Sequence, residues 1–130
     1  MNKNLIIILL IIVLPIVVYF FLNKTQETST TVVESNKPQV IKFTSEMCSE
    51  CHKLDETFPN VYPKYSKQIN LVRVQVQKRT KENQDLVSKY NVTLVPTMVF
   101  LKADGKVMLR TEGAMPAEEL DKHLKDLINE

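Results

Sequence analysis

The sequence predicts an α/β domain, a mixed central sheet flanked by helices, carried behind one N-terminal transmembrane helix. Three observations lead there. Segments of strand and helix period alternate from Gln39 to the C-terminus, and an uncharged apolar run fills Leu5 to Leu22. Cys48-Ser49-Glu50-Cys51, which holds the only two cysteines in 130 residues, sits where the first strand gives way to a helix.

The apolar run is interrupted only by Pro15 and is just long enough to cross a hydrocarbon core of about 30 Å. A cleavable signal peptide is the alternative, but its apolar core is normally shorter and ends at small residues. Tyr19-Phe-Phe-Leu-Asn-Lys24 offers no such site, so residues 1–22 read as an uncleaved anchor. Lys3 and the amino terminus flank one side and Lys24 the other, which favours an internal N-terminus and an exported remainder. The expected location is therefore single-pass in a bacterial-type inner or cytoplasmic membrane, with the C-terminal domain facing the periplasm or the cell exterior.

Residues 23–38 are rich in Thr, Ser, Glu and Lys and read as a polar linker, with a short strand at Thr30 to Val33. A flexible tether of that length has an end-to-end distance of about 20 to 25 Å, which would keep the remainder close to the membrane face. Residues 39–130 suffice for one small core and no second domain. A formal net charge of +2 with interspersed acids and bases gives no sign of a nucleic-acid partner.

Within that domain Gln39–Thr44 reads as the first strand, and the segment after it opens a helix at the cysteines. Leu54, Phe58, Val61, Tyr62 and Tyr65 recur at helical intervals up to Gln68, with Pro59 and Pro63 kinking or dividing the helix. Asn70–Val76 has strand period and an apolar start, and is expected at or near the centre of the sheet. Thr80 can cap a helix through Tyr90 whose inner face carries Leu86, Val87 and Tyr90. Thr97–Leu101 is an apolar strand, and Ala103-Asp-Gly105 turns the chain into a hairpin partner over Lys106 to Thr111. Pro116 starts a last helix with Ala117, Leu120, Leu124, Leu127 and Ile128 on one stripe. Parallel strands joined by right-handed crossovers, ending in an antiparallel hairpin, are the economical topology.

Two cysteines three apart on a first helical turn lie close enough to bond without moving the backbone. At the helix N-terminus Cys48 is favoured as a thiolate, and Cys51, one turn in, is the more buried. That asymmetry points to an attacking and a resolving thiol in a redox couple. Other readings remain open. A structural disulfide is one. His52 also completes Cys-x-x-Cys-His, the attachment signature of c-type haem, with Met98, Met108 or Met115 as axial candidates. A zinc site would add His52 and His123 to the two thiols.

The element order, Cys48-x-x-Cys51 at the first strand-to-helix junction, Val95-Pro96-Thr97 entering an apolar strand and Glu112-Gly113-Ala114 before the last helix together resemble thioredoxin. The likeness covers residues 39–130. Within that superfamily, Cys51-His-Lys-Leu-Asp-Glu-Thr-Phe58 and Tyr90–Leu101 look most like the C-terminal domain of the thiol:disulfide interchange protein DsbD. The resemblance implies a thioredoxin fold and a thiol-disulfide oxidoreductase with Cys48 as nucleophile and Cys51 as resolving thiol. It implies a cis Val95-Pro96 bond that leaves Val95 backbone groups free to pair with an extended substrate. It implies no cofactor beyond the redox-active Cys48–Cys51 disulfide, exported protein disulfides or dithiols as clients, and an integral membrane electron donor.

Departures from the family pattern fall around the thiols. Met47 stands where thioredoxins carry Trp, and Ser49-Glu50 replaces Gly-Pro. Lys42 occupies the first-strand position of the family's buried acid, and Arg73 that of a neighbouring lysine. Lys42, Glu50 and His52 are therefore candidate modulators of the thiols, although Glu50 also suits an ordinary helix start and Lys42 could snorkel from a sheet edge. Two other classes are kept: a c-type haem electron-transfer protein, and a non-catalytic thioredoxin-fold module that only holds a partner. A copper chaperone of the same fold fits less well, because such proteins usually space their cysteines by three residues.

Overall fold

The computed structural model describes residues 2–23 and 36–130, with the side chains of residues 20–23 left undescribed. The elements are α1 (Lys3–Asn23), β1 (Gln39–Thr44), α2 (Ser49–Val61), a 3-10 turn (Tyr62–Lys64), β2 (Asn70–Gln75), α3 (Lys81–Lys89), β3 (Thr97–Leu101), β4 (Val107–Glu112) and α4 (Ala117–Asn129). Most of the tether expected over 23–38, and all of the strand expected at Thr30 to Val33, lie outside the described residues.

Helix α1 forms over the apolar run with Pro15 inside it, and Leu5 to Tyr19 stand exposed along its length. Among the described residues no helix is long and apolar enough to cross a membrane. The transmembrane expectation is thus not met among the described residues.

The sheet has the order β2-β1-β3-β4. Strand β1 pairs parallel with β2, from Gln39↔Asn70 to Thr44↔Gln75, and antiparallel with β3, from Gln39↔Leu101 to Phe43↔Thr97. A hairpin at Gly105, whose φ of 83° needs a residue without Cβ, joins β3 antiparallel to β4. Helices cover both faces. Val40, Met98 and Phe100 meet Leu54 and Phe58 of α2 and Leu120, Leu124 and Leu127 of α4. Ile41, Phe43, Val72, Val74, Val99 and Leu101 meet Leu86 of α3 on the opposite side. Period-2 alternation of strand side chains sorts the sheet residues between these two cores.

Two expectations about topology are corrected. Asn70–Gln75 is an edge strand, and its burial alternates, with Val72 and Val74 inside and Arg73 exposed. The strands buried throughout or nearly so are β1 and β3, whose sequences Gln-Val-Ile-Lys-Phe-Thr and Thr-Met-Val-Phe-Leu lack that alternation. Second, β3 runs antiparallel to β1. Helix α3 is only nine residues, and just beyond its C-cap Asn91 lies in the left-handed region, φ 48°. Residues 92–96 then deliver β3 at the end of the sheet where β1 finishes.

Local details follow the sequence more closely. Thr80 caps α3, its hydroxyl accepting the Asn83 N–H at 3.3 Å. Pro59 stays inside α2, and the division falls later, at the turn containing Pro63. Pro116 caps α4 instead of opening it, and Ala117 is exposed, so the buried stripe begins at Leu120. Tyr65 ties the turn to α4 by donating to Asp121 Oδ1 at 3.1 Å. Leu124 is fully buried in the α2–α4 core. Leu124→Ala should therefore lower the unfolding free energy by about 2–5 kcal/mol in a denaturant titration, with unchanged m-value.

Candidate functional site

The site assembles at the end of the sheet where β1 stops. After Thr44 the chain turns at residues 45–47 and enters α2, with Cys48 as N-cap in an extended conformation (φ −106°, ψ 114°). Its Sγ does the work that a serine oxygen does at an ordinary N-cap, accepting the Cys51 N–H at 3.2 Å. A sulfur held there faces the unpaired N–H groups of the first helical turn. The Cys48 thiol can also donate to the Val95 carbonyl, 3.5 Å away. Both cysteines are free thiols, Cys48 half-buried and Cys51 buried. Burial pushes the Cys51 thiol above its ordinary 9.0, and the neighbouring Cys48 thiol adds to this; the Ser45 backbone and the Thr44 side chain oppose it by hydrogen bonding.

Val95-Pro96 is a cis peptide, half-buried at Val95 and buried at Pro96. Three contacts that the sequence did not announce hold this loop. Thr97 Oγ1 donates to the Leu94 carbonyl at 2.7 Å, the Gly113 N–H to the Pro96 carbonyl at 2.8 Å, and Arg110 Nη1 to the Tyr90 carbonyl at 2.8 Å. Gly113 adopts φ 88°, a conformation that disfavours any side chain. Leu94 and Met47 are exposed apolar side chains flanking the two segments, Met47 at 96%.

The remaining sequence candidates separate. Glu50 is exposed and pairs with Lys53 at 2.5 Å. His52 is exposed with Nε2 3.1 Å from the Glu46 carbonyl oxygen, pinning the turn before Cys48. Lys42 is not at a sheet edge: β1 is an interior strand and Lys42 is 1% exposed. Its ammonium pairs with Asp55 Oδ1 and lies 5.0 Å from the centre of the Phe58 ring. Asp55 went unnoticed in the sequence, although a lysine inside an apolar strand requires a carboxylate partner. Arg73 is the register neighbour of Lys42 on β2 but is exposed. His123 packs on Phe100, 5.6 Å between ring centres, and approaches Glu119. Met98 and Met115 belong to the α2–α4 core, with Met108 packed against it. Among the described residues no three His, Cys, Asp or Glu side chains gather in a way that could hold a metal ion.

A buried thiol beside a half-buried one at a helix start, against a cis-proline loop, makes up the site. Residues 25–128 fit the Thioredoxin-like domain family. The chain belongs to the thioredoxin-like family. Thioredoxin 1 of Synechococcus elongatus is 32% identical over 97 residues, which is 72% of this chain and 86% of that protein. Mitochondrial thioredoxin of Bos taurus is 30% identical over 97 residues, 75% of this chain and 55% of its own length. Among solved structures, the germline-specific thioredoxin Deadhead of Drosophila superposes with a TM-score of 0.62 at 24% identity, covering 72% of this chain and 84% of its own. Chloroplastic thioredoxin z gives 0.60 at 23% identity, over 73% and 81%. As a thioredoxin-like protein the chain is a thiol-disulfide oxidoreductase.

The raised Cys51 value carries a pH dependence. A thiol that binds its proton more tightly when folded contributes stability that is fully present below the unfolded value of about 9 and lost as pH rises through the higher folded value. The dithiol form should therefore lose unfolding free energy from pH about 9 upward. Cys51→Ala should flatten that slope when both are unfolded by urea across the alkaline range.

Proposed function

We propose that Cys48 is the nucleophile and Cys51 the resolving thiol of a membrane-anchored thiol:disulfide exchange protein that acts as a reductase on the exported side. The observation that carries the reading is the Cys48 sulfur itself, accessible, capping α2 through the Cys51 N–H and facing the Val95 carbonyl. Cys48 thiolate attacks a client disulfide, forming a mixed disulfide and releasing one client thiolate. Cys51 then attacks the Cys48 sulfur, releasing the second client thiol and leaving the Cys48–Cys51 disulfide. Two electrons pass to the client, and no further cofactor is needed. The N–H and C=O of Val95, beside Pro96, are the groups an extended client strand would pair with, the carbonyl exchanging the Cys48 thiol for the client. Lys42, Glu50 and His52 surround the couple as modulators, with Glu50 balanced by Lys53 and His52 serving the turn.

Helix α1 supports the anchor. Its exposed Leu, Ile and Val side chains from Leu5 to Val18 need an apolar host, and the uncharged sequence continues to Leu22. Placing the domain in the periplasm or outside the cell follows from the flanking lysines and gives the dithiol oxidised proteins to act on. A reductase there requires an electron supply, and the likeness to the C-terminal domain of DsbD points to an integral membrane donor.

Cys48→Ser should reduce turbidimetric insulin reduction to the uncatalysed rate. Cys51→Ser should accumulate a mixed disulfide that is visible on non-reducing gels. Normal turnover in Cys48→Ser would overturn the assignment. For the anchor, the full chain should float with phospholipid vesicles after washing with high salt or carbonate. Replacing Ile8 and Ile12 by Asp should release it, and retention of the doubly substituted chain on vesicles would argue against insertion.

A further inference from the structure

One buried charged group takes no step of its own in the exchange cycle. Lys42 is 1% exposed in the middle of β1 and Asp55 is 44% exposed on α2. Alternate residues of β1 face α2, so Lys42 and Thr44 lie on one side of the strand, about 7 Å apart. On α2, Cys51, Asp55 and Phe58 follow one another at i, i+4 and i+7 and share a face. Strand and helix therefore meet in two adjacent rungs. In one, Thr44 faces the Cys51 thiol and holds its pKa down; in the next, the Lys42 ammonium meets the Asp55 carboxylate over the Phe58 ring.

One rung from a buried thiol, and itself on a buried side chain, a single unpaired charge would change thiolate stability by about tenfold or more. Other nearby charges are placed where they matter less: Arg73 is exposed at the sheet edge, and Glu50 is paired with Lys53 on the solvent side. We propose that Asp55 is a positioning residue that cancels the charge of Lys42, so that Cys51 performs its half of the exchange beside a neutral pair. In that step the Cys51 sulfur bonds to the Cys48 sulfur, the Cys48–client S–S bond breaks, and the client sulfur leaves with the bonding electrons. The proton lost by Cys51 ends on the client thiol. The charge next to Cys51 sets how readily that proton is given up, and hence where the dithiol–disulfide equilibrium lies.

This rests on Cys48–Cys51 being the exchanging couple; were that reading wrong, the unsubstituted chain would fail to equilibrate with glutathione at all. The test is the equilibrium constant with reduced and oxidised glutathione at pH 10, where the Cys51 thiolate contributes to the reduced form, measured by alkylation trapping on the full chain. Asp55→Asn leaves Lys42 uncompensated and should shift the equilibrium about tenfold toward the dithiol, which is about 30 mV. Lys42→Met leaves the carboxylate alone and should shift it about threefold toward the disulfide, less because Asp55 is half exposed. The double substitution should return to within about twofold of the starting value, and Asp55→Glu should retain it. If Asp55→Asn does not fold, comparing Lys42→Met with the double substitution still reads the carboxylate. Equal constants in those two, or single substitutions that move the equilibrium in the same direction, would overturn the proposal.

Discussion

The antiparallel pairing of β1 with β3 is the constraint on which the site depends. It puts Phe43 opposite Thr97, so the chain leaving β1 toward Cys48 and the chain arriving through Val95 and Pro96 occupy the same end of the sheet. A parallel β3 would deliver its entering loop at the far end, some five residues of strand away, or about 17 Å. With the observed pairing, the Val95 carbonyl stands 3.5 Å from the Cys48 sulfur. Thr97, Arg110 and Gly113 then fix the loop through main-chain carbonyls, so the position of Val95 is set by the sheet and by β4.

A second constraint concerns charge. Burying an ammonium costs several kcal/mol unless it is paired, and interior strand β1 carries one at Lys42. Asp55 supplies the pairing from the same helix that carries both cysteines, and Phe58 adds a ring face. The helix holding the thiols is therefore docked on the sheet by Leu54 and Phe58 through apolar packing and by Asp55 through charge.

Local features were legible in the sequence where one segment determines them. Gln39–Thr44, Thr97–Leu101 and the Thr80 cap are read correctly because strand composition and capping chemistry are written within a few residues. The cysteine pair is legible for the same reason. Strand order and the direction of β3 were not, because they depend on how residues 90–96 route the chain, and an edge strand such as Asn70–Gln75 can carry as apolar a start as a central one. Lys42 was visible as an anomaly while its partner was not, since an acid on a helix exposes no sign of which strand residue it will meet. The clamps on the cis-proline loop join residues from Tyr90 to Gly113 and all end on backbone carbonyls, which residue identity does not mark.

Cys48 as N-cap ties the chemistry of one sulfur to the integrity of one helical turn. When the first turn of α2 opens, the Cys48 sulfur loses the Cys51 N–H and its seat against the Val95 carbonyl together. The rate at which a small alkylating agent captures that sulfur thus gauges how long the turn stays wound. An unfolded or partly synthesised copy of this chain carries two uncapped thiols, and the capping sulfur exists only once β1 and α2 have formed their junction.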